Sequence, residues 1–177
     1  MVTIERELNF LDKSDWGDGP WQTEPDKRQW TDEATGLPCL AVRNEVHGHW
    51  CGYVGVPPGH RFYELPFSEV TALAASDSDS SLDVHGGLTY SDFCQEGEEE
   101  RGICHVPAPG QTEHPWWLGF DMMHGFDYGP ALFSGLGSFG DQIKQLAIFQ
   151  LSNYRTLAYV QDQCEHLAHQ LAELGAP

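Results

Sequence analysis

Six apolar residues near the C-terminus, Leu157, Val160, Cys164, Leu167, Leu171 and Leu174, recur at spacings of 3, 4, 3, 4 and 3. At 3.6 residues per turn this pattern draws one apolar stripe along a helix and leaves its other sides polar. Ser152 or Asn153 is positioned to cap the start, and Gly175 follows the last turn. Six stripe positions over about five turns are too few for a coiled coil. The stripe is expected to pack across a sheet, with dimerisation as the alternative.

The upstream sequence supplies the sheet. Residues 37–44 and 49–56 are apolar, strand-like runs joined by the polar stretch Glu45-Val46-His47-Gly48, and Pro57-Pro58-Gly59 stops the second run. Further short strands are predicted at 82–84 with 88–90, at 102–106 and at 116–120. A short helix is predicted around 67–75, started by Pro66 or Ser68. The expected fold is a single α+β domain over residues 37–177, a mostly antiparallel sheet packed by the long C-terminal helix. Residues 1–36 carry Trp16, Trp21 and Trp30 but little periodicity. They read as an irregular, aromatic-rich arm whose rings anchor it to that body. A stretch of serines and aspartates, 76–81, reads as a solvated loop, and residues 125–141, with five glycines, as a mobile loop covering a site.

Charge excludes one class of function. With 27 acidic against 9 basic residues the formal net charge is −18, which repels phosphate backbones and argues against direct nucleic-acid binding. A solubilising surface is the plainest explanation; carboxylates around a cation, or a nucleic-acid mimic, are the others. The acids are mostly dispersed, which disfavours mimicry. Their dense run at 96–100 reads as a hairpin tip. No stretch is long and apolar enough to cross a bilayer, and the charged start does not resemble a signal peptide. A cytoplasmic protein is expected. Five widely spaced cysteines without a CxxC pair argue against a disulfide framework; buried free thiols are expected, although Cys39 and Cys51 could face each other across the hairpin.

Two segments carry candidate chemistry, Asp83-Val84-His85-Gly86-Gly87-Leu88-Thr89-Tyr90 and Gly119-Phe120-Asp121-Met122-Met123-His124-Gly125-Phe126-Asp127. Each places a carboxylate and an imidazole at the end of an apolar run beside glycines. In extended chain Asp83 and His85 share a face, and Gly86-Gly87 lets a backbone or ligand approach closely. In a helical turn Asp121 and His124 lie on one side. If the segments converge, His85, Asp121, His124 and Asp127 form a ligand set for Zn²⁺, Mn²⁺ or Fe²⁺, with Asp83 orienting His85 or activating water. A metal-free version uses His85 or His124 as general base, oriented by Asp83 or Asp121. The bland alternative is that each His satisfies a turn and each Asp caps the element that follows.

Tyr53 and Tyr90, with Trp116 and Trp117, offer a flat wall for a base or sugar, although core packing is the commoner use of such rings. His60 is placed to swing towards the ligand. His47 and His49 share a face in a connection expected to be solvated, and His166 and His169 are expected to face solvent from the C-terminal helix. No GxSxG, Walker A or GxGxxG motif is present.

The strings Trp50-Cys51-Gly52-Tyr53-Val54-Gly55-Val56-Pro57-Pro58-Gly59-His60, Val84-His85-Gly86-Gly87-Leu88-Thr89-Tyr90 and Trp116-Trp117-Leu118-Gly119-Phe120-Asp121 with His124 resemble a family of uncharacterised bacteriophage and bacterial proteins, as do Asn153-Tyr154-Arg155 and the helix after them. The resemblance spans roughly residues 36–174. It implies a phage or mobile-element setting inside a bacterial cell, where small acidic proteins counter host defences, and a recurring motif of His85, Asp121 and His124. The resulting expectation is a metal-dependent hydrolase acting on a small, polar, nucleotide-like molecule. The alternatives are a binder that sequesters a small molecule or blocks a host protein, and an acidic decoy.

Overall fold

The computed structural model describes residues 3–77, 82–94, 102–112, 114–144, 146 and 153–175. Strands β1 (Ile4–Arg6), β2 (Lys27–Thr31), β3 (Pro38–Arg43), β4 (Trp50–Val56), β5 (Tyr90–Asp92) and β6 (Trp116–Asp121) form one antiparallel sheet in the order β1-β2-β3-β4-β6-β5. Helices α1 (Phe67–Asp77), α2 (Gly137–Lys144) and α3 (Leu157–Leu174) complete the α+β domain. No helix among the described residues is long and apolar enough to cross a membrane.

Period-two alternation gives the sheet two apolar faces. Trp30, Cys39, Ala41, Trp50, Val54, Leu118 and Phe120 point to the side that α3 covers with Leu157, Val160, Cys164, Leu167 and Leu171. Leu40, Val42, Tyr53 and Trp117 point to the other side, where Ile103 covers them. The C-terminal stripe is therefore sheet-packing, as its spacing implies. Gly52 makes the close approach: a Cβ there would stand 2.4 Å from Phe120 Cζ and 2.8 Å from Cys164 Sγ. Thr156, three or four residues later than the expected caps, starts α3 by accepting from the Tyr159 amide at 3.3 Å. Gly175 closes it through a bond to the Leu171 carbonyl.

Residues 1–36 hold β1 and β2, so this segment belongs to the sheet rather than forming an irregular arm throughout. Its alternation is hard to read because β2 opens on a buried Lys27, held by the Gly102 carbonyl at 2.9 Å. Trp16, Trp21 and Trp30 are all buried, as anchoring rings should be. A buried ionic cluster fastens the segment further. The fully covered Arg43 side chain donates to Asp26 Oδ1 (3.0 Å) and Glu24 Oε2 (3.1 Å) and lies over the Trp50 ring. Glu24 also accepts from Tyr154 Oη and from the Leu157 amide at the first turn of α3. Each buried charge has several partners, the condition under which burying charge is tolerated.

Residues 37–44 and 49–56 form the expected hairpin, and α1 covers the expected short helix. Residues 82–84 and 102–106 are not strands, and the five-glycine stretch 125–141 runs into the start of α2. Cys94 and Cys104 form a disulfide, against the expectation of free thiols. The even count that makes a pairing visible is hidden by three further cysteines, which are free. Cys39 pairs in register with Val54 and Cys51 with Val42, so those two thiols do not face each other. The acidic run 96–100 and most of the serine-rich loop, 78–81, lie outside the described residues.

Candidate functional site

Three stretches distant in sequence converge beside the first turns of α3. The first is the turn after Leu82 and Val84, whose side chains are buried in the core. This holds His85 at the rim, and Gly86 and Gly87 turn the chain back with φ of 70° and 82°. The second is the end of β6, which delivers Asp121 and runs into a turn that closes with the Asp127 amide on the His124 carbonyl. The third is Arg155, Tyr159 and Gln163, four residues apart on one flank of α3 and its lead-in.

Asp127 is the hub. Its Oδ2 lies 2.6 Å from His85 Nε2 and 2.9 Å from the His124 amide, and its Oδ1 accepts from Arg155 Nε at 2.7 Å. Burial alone would raise its pKa, but the Arg155, His124 and His85 bonds outweigh it and hold the carboxyl below the ordinary value. His85 Nδ1 lies 3.2 Å from the Tyr159 hydroxyl, and the His85 amide donates to Gln163 Oε1 at 2.8 Å. An ionised Asp127 accepts the Nε2 proton, so neutral His85 presents Nδ1 as an acceptor for Tyr159. Arg155 engages Asp127 through Nε and stands over the Tyr159 ring at 5.0 Å; among the described residues no group accepts from its two terminal nitrogens.

His124 stands beside His85, with ring centroids 5.8 Å apart. Its Nε2 is 3.4 Å from Asp121 Oδ1, within ion-pair range but not aligned as a hydrogen bond, and is buried with no other partner described. Asp121 itself accepts from Thr89 Oγ1 and from the Met123 amide, both at 3.0 Å. Gly86 makes the closeness possible: a Cβ there would fall 2.1 Å from the His124 ring.

The expected roles are redistributed. Asp83 does not orient His85; its carboxylate is 91% exposed and nearest to His166 Nε2 at 3.8 Å. Its direction follows from its backbone, which Gln170 clamps through both the amide and the carbonyl. His60 does not reach this site either. Its Nε2 meets the Leu171 carbonyl at 3.0 Å, three turns of α3 beyond Tyr159, or about 18 Å along the axis. Tyr53 and Tyr90 pack edge-to-face on the sheet face opposite α3, Trp117 lies in that same cluster, and Trp116 belongs to the core under α3. None of the four forms a ligand wall here.

The proposed metal set is drawn together only as pairs. Among the described residues no group of three or more His, Cys, Asp and Glu side chains is placed to hold a metal ion. Asp127, the central carboxylate, is already neutralised by a guanidinium at 2.7 Å, which would repel a dication.

Sequence reasoning missed Arg155, Tyr159 and Gln163, whose spacing of four beside the apolar stripe was the available signal. It also placed His49 in solvent. That ring is 6% exposed, and its Nδ1 has no partner described. Burial drives its pKa down to about 4, opposed by the nearby Asp121 and Asp127. His47 stacks against it at 5.9 Å, while His166 and His169 are half-exposed as expected.

No protein-family model matches the chain, and neither curated proteins nor solved structures provide a match. The chemistry of the site rests on its own geometry.

Proposed function

We propose that the protein is an acid–base catalyst of the hydrolase type acting on a small polar anion, with Asp127, His85 and Tyr159 as a proton relay. The observation that carries this reading is that both ring nitrogens of His85 are engaged in series, Nε2 by a buried carboxylate and Nδ1 by a phenol. Asp127 fixes the tautomer and stabilises the imidazolium that forms when Nδ1 takes a proton. Tyr159 links that ring to the substrate: its phenol proton passes to Nδ1 as the phenolic oxygen takes one from the attacking water, and the reverse transfer delivers a proton to the leaving group. Arg155 supplies a guanidinium fork beside the phenol, suited to a carboxylate or phosphate on the ligand. The relay works without a metal ion.

The phage or bacterial setting suggested by the sequence motifs fits a small acidic protein directed at a host nucleotide or host factor. A second reading, a binder that holds its ligand unchanged, is favoured by the saturation of Asp127. A carboxylate with three partners pins three segments together whether or not His85 moves protons.

A panel of p-nitrophenyl esters and phosphate esters separates the two. Catalysis predicts turnover by the native protein that falls about 100-fold or more in His85→Gln and Tyr159→Phe. Binding without turnover of any ester, or full turnover in Tyr159→Phe, overturns the catalytic reading.

A further inference from the structure

The sheet covers the apolar stripe of α3, but a second stripe in the chain stays open. Leu136, Phe139, Ile143 and Leu146 recur at spacings of 3, 4 and 3 along α2 and its two ends. Turn and helix bonding carries through those ends, from the Gly140 amide to the Leu136 carbonyl and from the Leu146 amide to the Ile143 carbonyl. At about 100° per residue the four side chains fall within one arc of the helix surface. Leu136, Phe139 and Leu146 are 47%, 62% and 55% exposed, and Ile143 is half-buried. Among the described residues α2 packs extensively on neither the sheet nor α3.

Charge decides what can cover this face. Residues 128–161 hold one acid, Asp141, and two bases, Lys144 and Arg155, in a chain of 27 acids and 9 bases. Arg155 is already matched by Asp127. The stripe therefore runs through the least acidic stretch of an acidic molecule. A membrane surface is a poor occupant: interfacial helices carry a basic face, and α2 has a single lysine. A basic partner protein would find only Asp141 in this stretch to pair with. A second copy of the chain meets the same near-neutral stripe, where repulsion between two molecules of charge −18 is smallest. A two-fold axis sets such a patch against itself.

We propose that the α2 stripe is a self-association surface, through which two copies pair helix to helix about a two-fold axis with Phe139 and Ile143 near its centre. The exposed parts of these side chains cover roughly 300 Å² on each copy, less than half of the ~800 Å² per partner in a stable interface. The dimer is accordingly weak and reversible. It is separate from the His85 relay and does not depend on it.

Sedimentation equilibrium of the full-length chain, up to about 1 mM protein, reads the association directly. A monomer–dimer equilibrium with Kd below about 1 mM is expected at about 0.5 M salt. At about 0.05 M salt it should be at least about threefold weaker, because repulsion between the two acidic copies is then less screened. Phe139→Ser and Leu136→Ser, both at exposed positions, should each raise Kd about tenfold. Val106→Ser, which removes an exposed apolar side chain elsewhere, should leave it unchanged. Amide shifts that change on dilution, followed by ¹⁵N NMR, should be confined to α2 and its flanks. A chain that stays monomeric throughout overturns the proposal, whether or not it binds phosphatidylcholine vesicles. So does a dimer that weakens with added salt, one that keeps native affinity in both α2 variants, or one equally impaired by Val106→Ser.

Discussion

Asp127 Oδ2 and His85 Nε2 lie 2.6 Å apart although 42 residues separate them in the chain. The bond ties the glycine turn after Val84 to the turn after β6, and the second oxygen of Asp127 ties both to Arg155 at the head of α3. One buried carboxylate thus sets the mutual placement of His85, His124, Arg155 and Tyr159.

Asp127→Asn removes the charge while keeping the shape. It leaves Arg155 and His85 facing a neutral amide, and breaking one side of a buried pair typically costs about 3 kcal/mol or more. A drop of that size in unfolding free energy, read from a urea titration with unchanged m-value, is the expected outcome.

Gly86→Ala should be destabilising out of proportion to its size. The residue sits at φ 70°, and its Cβ would fall 2.1 Å from the His124 ring. About 1 kcal/mol comes from the backbone conformation alone, and displacement of His124 adds to it. Gly87→Ala, also at positive φ but with open space around the new Cβ, should show the backbone cost without the His124 shift. NMR of the His124 ring distinguishes the two variants.

Acid should weaken the protein in two stages. Burial pushes His49 and His105 down to about 4, whereas unfolded histidine titrates near 6.5. Between those values the unfolded chain binds more protons, so stability falls as pH drops from about 6.5 to 4, by up to ~3 kcal/mol per histidine. Asp127, held below its ordinary value, adds a second loss below about pH 4 as it protonates. A urea-midpoint series against pH measures both, and His49→Gln should flatten the first stage.

Reduction of Cys94–Cys104 should lower stability by about 3 kcal/mol, the loop-closure entropy of a loop of roughly this length. The sequence separation is 10 residues. The thermal midpoint with and without dithiothreitol measures it, and a Cys94→Ser/Cys104→Ser double variant should match the reduced protein.

The parts of the fold that announce themselves in sequence are those with unbroken periodicity: the stripe from Leu157 to Leu174, and the hairpin of β3 and β4. β2 is obscured because it begins with Lys27 and Arg28, whose charges are satisfied by distant groups no local pattern reveals. The site was half legible. His85 pairs with Asp127 and His124 stands near Asp121, two separate pairs; the partner of His85 is Asp127 rather than the adjacent Asp83, because backbone clamping by Gln170 directs Asp83 outward. Arg155 and Tyr159 were hidden because a polar flank beside an apolar stripe ordinarily faces solvent. The burial of His49 is hidden in the sequence because the preceding His47 and Gly48 read as a turn, while the next residue, Trp50, already lies in the core.

The tautomer of His85 tests the relay most directly. A long-range ¹H–¹⁵N spectrum of the native protein above the histidine titration range should show the proton on Nε2 and an unprotonated, hydrogen-bonded Nδ1, with the Nδ1 shift changing in Tyr159→Phe. A proton on Nδ1, or an Nδ1 signal indifferent to the loss of the Tyr159 hydroxyl, would contradict the account.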